Sequence, residues 1–210
     1  MACGWSDFFA SPAGRGAIAW EGEAFARVVA RQAGDRALQL GAAELDALAA
    51  SPIAHRVLCC RQAPALAEGD LRGQLVAEDA FLPLAEGCAS LVAWPHGFER
   101  NGAFAAQALA EIARVLAPGG LLVVSAFNAS GPWSLRNRLP GARRLLPAHC
   151  EPLAPGAARE RLAEAGLSVE GGRFGLYALG EPSGRRKAGR IDLAGDRWWP
   201  AMSNLWLLAA

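Results

Sequence analysis

The stretch Gln107–Asn128, QALAEIARVLAPGGLLVVSAFN, decides the fold. Leu109, Ile112, Val115 and Leu116 recur at helical spacing, so its first half reads as a helix with one apolar face. Glu111 and Arg114 fall on the other face. Pro118 ends that helix, and Gly119 and Gly120 supply the backbone freedom for a sharp reversal. Leu121–Val124 follows as an unbroken apolar run bounded by turn signals. Such a run, lacking polar alternation, suits a strand covered on both faces, as in a parallel sheet between helices.

A second stretch lies just upstream. Asp79–Trp94, DAFLPLAEGCASLVAW, places an acidic residue after a strand, then Leu-Pro-Leu, a polar turn and a further apolar run. Together the two stretches resemble the class I S-adenosylmethionine-dependent methyltransferases, in particular a small-molecule branch of bacterial methyltransferases (type 11-like). That branch carries an acidic/LP segment, then a helix ending R-V-L-x-P-G-G and a strand. The resemblance is densest over residues 70–128. It extends through Phe127-Asn128 with Trp133-Ser134-Leu135-Arg136, and through Gly195-Asp196-Arg197-Trp198-Trp199-Pro200, so it spans nearly the whole chain. It implies an α/β fold of the Rossmann-like, doubly wound type. The expected sheet is mostly parallel and seven-stranded, with an antiparallel final strand and helices on both faces.

Bulk properties agree with one such domain. The chain has 210 residues, 52% of them hydrophobic, enough to bury a core. A formal charge of +1 gives no global field for nucleic acid. No run of about 18 apolar residues occurs, so no membrane span is expected. The N-terminus lacks the basic and apolar regions of a signal peptide, and a cytoplasmic protein is the expectation. Cys3, Cys59, Cys60, Cys88 and Cys150 are odd in number and contain no C-x-x-C, so they read as structural thiols rather than metal ligands. G-x-G-x-x-G is absent too, which argues against a nicotinamide enzyme.

The chain divides into an N-terminal helical cap (1–34), a cofactor-binding half (35–128) and a substrate-side half with the closing strands (129–210). Ser11-Pro12 starts a helix whose stripe is Ile18, Phe25, Val28 and Val29, and Gly34 stops it. Trp5, Phe8 and Phe9 ahead of it are expected to dock on the domain. Arg36–Leu40, His55–Cys60, Leu71–Ala77 and Ser90–Trp94 read as strands one to four, with a short helix over Ala43–Ala50. Pro155–Gly166 reads as a helix, Leu167–Val169 and Arg173–Tyr177 as strand material, and Asn204–Leu208 as the final strand. Gly180–Arg190 is the clearest loop, rich in basic residues. Trp198-Trp199 reads as a core anchor.

What the resemblance implies about a site can be placed residue by residue. The loop after the first strand, Gln39-Leu40-Gly41-Ala42-Ala43-Glu44, retains only Gly41 of the family's glycine series, with Gln39 where an acidic residue would hold the cofactor's amino group. The next strand ends in Cys60-Arg61-Gln62, without the family's ribose-binding carboxylate. Asp79 matches the acceptor for the adenine amino group, and Ala80 supplies the backbone amide beside it. Pro95 and His96 follow the fourth strand, where doubly wound sheets hold ligands. His96 is the candidate catalytic residue, as proton acceptor or substrate contact, or else a packing residue. Glu99 could orient it or cap the next helix, and Asn128 would lie at the mouth of the site. No metal is implied. Arg136, Arg138, Arg143 and Arg144 form either a solvated basic face or a patch for an anionic substrate or RNA phosphate.

Two functions stay open. One is S-adenosylmethionine-dependent methyl transfer to an unidentified, small-molecule acceptor. The other is a methyltransferase-fold binding or partner subunit without turnover. The oligomeric state and the purpose of the basic segments 136–144 and 185–190 stay open as well.

Overall fold

The computed structural model describes residues 4–63, 72–142, 144–177 and 202–210. The basic loop Gly180–Arg190, Trp198-Trp199, Arg143 and the start of the third strand at Leu71 lie outside these residues. Seven strands form one sheet: β1 (Arg36–Leu40), β2 (His55–Cys60), β3 (Gly73–Val76), β4 (Ala89–Pro95), β5 (Leu116–Phe127), β6 (Gly171–Gly175) and β7 (Leu205–Ala209). Their order is β3-β2-β1-β4-β5-β7-β6. The pairs from β3 through β5 are parallel, and β7 runs antiparallel between β5 and β6. This is the mostly parallel, doubly wound sheet with an antiparallel last strand that the sequence implies.

Residue alternation on the central strands explains both layers. Leu122, Val124 and Ala126 of β5 face α4 (Ala105–Val115) and α6 (Pro155–Glu164), joining Leu109, Ile112 and Leu162 in one core. Val123 faces the opposite side with Phe25 and Val29 of α2 (Pro12–Val29). A third cluster joins Phe8 and Phe9 of α1 (Trp5–Ala10) to Phe127, to Leu205 and to Trp133 of α5 (Pro132–Asn137). Ser11 links the first two helices. Its amide closes α1 on the Phe8 carbonyl at 2.9 Å, and its hydroxyl accepts from the Gly14 amide at 3.1 Å to start α2.

The deciding stretch folds with one shift. α4 ends at Val115 rather than at Pro118, and Leu116 already pairs with Ala89 of β4. Pairing resumes at Leu121 opposite Leu91, so Ala117–Gly120 bulges outward as the reversal the Pro-Gly-Gly calls for. Gly119 takes φ 74° there, which suits a residue without a β-carbon. Glu111 and Arg114 do more than face solvent. They pair at 2.8 Å and clamp the Leu-Pro-Leu segment: Arg114 donates to the carbonyls of Leu82 and Leu84, and Glu111 accepts from the Leu82 amide.

Two expected elements are absent. Ala43–Ala50 forms turns instead of a helix, and Leu167–Val169 is not a strand. Leu167 instead closes the end of α6, its amide reaching the Leu162 carbonyl at 2.9 Å while Gly166 takes φ 80°. The turn region owes its form to Gln39, described next.

Candidate functional site

The carboxyl ends of β1, β3, β4 and β5 meet along one edge, and the sequence-predicted residues fall on it. Gln39 sits at the end of β1 with its side chain fully buried. Its amide nitrogen donates to the carbonyls of Gly41 at 3.2 Å, Ala42 at 3.1 Å and Leu45 at 2.6 Å. Its oxygen accepts from the Ala47 amide at 2.9 Å and from Arg72 at 2.7 Å. These bonds satisfy the loop's backbone groups through a side chain, in place of a helical ladder. Asp46 adds a bond to the Leu48 amide at 3.0 Å. The loop therefore presents no helix N-terminus to a ligand, and the Gln39 side chain is already fully engaged.

Gly41 and Ala42 both lie in the left-handed region, at φ 68° and 46°. Gly41 faces Arg100, whose Nε lies 3.5 Å from the point where a β-carbon would stand. The Arg100 guanidinium also stacks 5.1 Å from the Trp5 ring centre. Its Nη1 is buried and has no hydrogen-bond partner among the described residues. Asp79 is buried, and Trp94 Nε1 (2.9 Å) and Asn101 Nδ2 (2.8 Å) both donate to its Oδ2. Asn101 is in turn held by Arg61 at 3.2 Å, at the end of β2 where the family carboxylate is lacking. Ala80 is a core side chain, and Pro95 pairs with Ser125 inside the sheet.

His96 lies at the end of β4 and starts α3 (Gly97–Asn101) in a left-handed conformation, φ 52°. It is wholly buried. Nε2 lies 3.2 Å from Glu21 of α2, and Nδ1 lies 3.4 Å from Glu99 Oε1. Glu21 also accepts from the Ser125 hydroxyl at 2.5 Å, and Glu99 Oε1 from the Phe127 amide at 2.6 Å. The other Glu99 oxygen, Oε2, is buried without a partner among the described residues. Trp5, Phe9 and Phe127 surround the imidazole, with ring centres 5.1, 5.8 and 4.5 Å away. Burial alone would lower the His96 pKa, but Glu21 and then Glu99 outweigh it and raise it to about 9. At neutral pH the ring is thus an imidazolium between two carboxylates, with both nitrogens occupied.

Asn128 is buried at the end of β5, where it organises a turn. Its Oδ1 accepts from the Ser130 amide at 3.1 Å, and its carbonyl accepts from the Ser134 hydroxyl at 2.6 Å. Sequence reading gave Trp5 only as a residue docked on the domain, and did not single out Glu21, Arg100 or Ser125. Glu21 did leave a signal: it stands at the i+3 place between Ile18 and Phe25, inside the apolar stripe, where an unpaired carboxylate would be costly. Burial pushes the Cys59 thiol up to about 12, as expected of an inert core thiol. Among the described residues no group of three His, Cys, Asp or Glu side chains is set to hold a metal. No described helix is long and apolar enough to cross a membrane.

The architecture is that of the class I S-adenosylmethionine-dependent methyltransferase fold, and comparison with solved structures agrees. An S-adenosylmethionine-dependent methyltransferase of Thermotoga maritima aligns with a TM-score of 0.67 at 15% identity, covering 98% of this chain and 92% of its own. A chain of the Haloferax volcanii complex between the Trm112 methyltransferase activator and a methyltransferase aligns at 0.64 and 18% identity, covering 97% and 95%. The Burkholderia thailandensis 1,6-didemethyltoxoflavin-N1-methyltransferase, solved with bound 1,6-didemethyltoxoflavin and S-adenosylhomocysteine, aligns at 0.56 and 16%, covering 96% and 84%. At such identities the likeness establishes the fold. No family model matches the sequence, and no curated protein matches it.

Proposed function

We propose that this chain is an S-adenosylmethionine-dependent methyltransferase acting on a small-molecule acceptor. The observation that carries the cofactor assignment is the orphaned Nη1 of Arg100 beside Gly41. A buried guanidinium nitrogen without a partner is costly, and a carboxylate such as that of the cofactor's methionine end would satisfy it. Gly41 leaves the space for close approach. Asp79 fits the amino group of adenine through Oδ1, the oxygen neither Trp94 nor Asn101 reaches. The fit is incomplete at two points. Gln39 has its hydrogen-bonding capacity already engaged, and the end of β2 offers Cys60, Arg61 and Gln62 rather than a carboxylate for the ribose.

The bound cofactor supplies an electrophilic sulfonium methyl. The chain's own residues orient the acceptor and handle its proton. We assign the acceptor-side contact to Glu99 Oε2, the buried oxygen left open when Oε1 binds Phe127 and His96. His96 is then a positioning residue: it holds Glu99 and Glu21 in place and balances their charge.

A second reading is a partner subunit of this fold without turnover. The saturated Gln39 and the missing helix over Ala43–Ala50 favour it. Thermal unfolding with added S-adenosylhomocysteine separates the two, since a ligand of the native state raises the midpoint. The expected result is a saturable rise in the wild type and about 10–100-fold weaker binding in Arg100→Gln, the worth of one charge-assisted bond. An Arg100→Gln affinity equal to that of the wild type would overturn the Arg100 assignment. No rise in the wild type at millimolar ligand would favour the partner subunit.

A further inference from the structure

We propose that the cavity between α5 and the segment 144–152 is the acceptor site, and that it takes a compact molecule carrying a carboxylate or phosphate group. This assigns a substrate class to the methyl transfer proposed above and rests on that reading.

The cavity encloses about 290 Å³, at the small end of the range for small-molecule sites. Its cationic lining comes from Arg138 and Arg144, with His149 beside them, and all three are exposed. Neither guanidinium makes an ion pair or side-chain hydrogen bond among the described residues, and no described lining residue is a carboxylate. Glu151, adjacent to Cys150 in sequence, is exposed and does not line the space. Two guanidiniums sharing one recess, neither engaged by another described side chain, suit a bidentate anion.

The same cavity backs onto the carboxyl edge of the sheet. Ser134 lines it, and its hydroxyl donates to the Asn128 carbonyl at 2.6 Å. Cys150 lines it too and packs against the cluster that holds Phe127, whose amide donates to Glu99 Oε1 at 2.6 Å. An anion held by Arg138 and Arg144 would thus leave the rest of the molecule beside Asn128 and Glu99. A recess this small fits a single compact group better than a polynucleotide strand, which needs a continuous groove and stacking rings.

The test is calorimetric titration of the full chain, without S-adenosylmethionine, using phenyl phosphate, benzoate and the neutral benzyl alcohol. Phenyl phosphate or benzoate should bind saturably and more weakly as salt rises, and benzyl alcohol should not bind. Binding of only one anion assigns the group to phosphate or to carboxylate. The Arg138→Gln/Arg144→Gln double variant should lose at least tenfold in affinity and unfold at the wild-type temperature, since both side chains are exposed. Absent anion binding, or equal binding by the double variant, would overturn the proposal. So would a single-stranded RNA oligonucleotide that binds more tightly than either anion and depends on the same two arginines. The cofactor titration is read separately. Anion binding without cofactor binding removes the methyl-transfer reading and keeps the anion site, and the converse removes the anion site alone.

Discussion

Gln39, Asp79 and His96 govern the carboxyl edge, and each is a polar group buried with its partners. His96 illustrates how such a group links stability to pH. Its pKa rises from 6.5 to about 9 on folding. A group whose pKa is raised in the folded state stabilises it fully below the unfolded value and loses that contribution as pH climbs through the folded one. Unfolding free energy should therefore fall between about pH 6.5 and 9, by on the order of 3 kcal/mol. The buried Cys59 thiol, raised from 9.0 to about 12, acts only above that window. Urea unfolding at intervals from pH 6 to 8.5 checks this. His96→Gln should be less stable at pH 6 and should lose most of the slope. A wild-type stability that stays level across the window would show that the ring is not held as an imidazolium. At this scale the sequence was half legible. The place of His96 just after β4 follows from counting the apolar run, and that of Asp79 from the family resemblance. Glu21 lies 75 residues from His96 and 104 from Ser125, and no local pattern states that pairing. The oddity of a carboxylate in an apolar stripe was its only trace.

The elements show the same division between local and distant causes. Strands β1, β2, β4, β5 and β7, and helices α2, α4 and α6, were readable because apolar period, caps and breakers agree within each segment. Ala43–Ala50 was misread because its composition favours a helix, while Gln39, from the preceding strand, holds the carbonyls and the amide that a helix would use. The outer-face pair Glu111 and Arg114 was read correctly as polar. Its grip on Leu82 and Leu84 ties together the two motifs that carry the family resemblance. The contact between α1 and α2 yields a prediction of its own. A β-carbon at Gly14 would collide with the Phe8 carbonyl, so α1 sits against α2 only because Gly14 has none. Gly14→Ala should cost about 1–3 kcal/mol and loosen α1. Hydrogen exchange at Phe9 and Ala10 is the readout. Unchanged protection in that variant would mean that the two helices accommodate the methyl group without separating.

For the whole molecule, the order β3-β2-β1-β4-β5-β7-β6 brings five strand ends to one edge and lays α1 across it. Trp5 spans the two halves of that edge, touching Arg100 on one side and His96 and Phe127 on the other. The substrate end could not be read from the sequence in the same way. The basic residues after β5 were visible, but which of them share a recess depends on how the segment 144–152 folds back over α5. The cofactor end is where sequence and geometry pull apart. The glycine series is eroded and Gln39 is engaged, yet Arg100 presents an unpaired nitrogen beside Gly41. Calorimetric titration of the wild-type chain with S-adenosylmethionine and S-adenosylhomocysteine decides between them. The geometry predicts one site per chain with micromolar affinity for at least one of the two. No heat of binding up to millimolar concentration would contradict a methyltransferase that works at this edge.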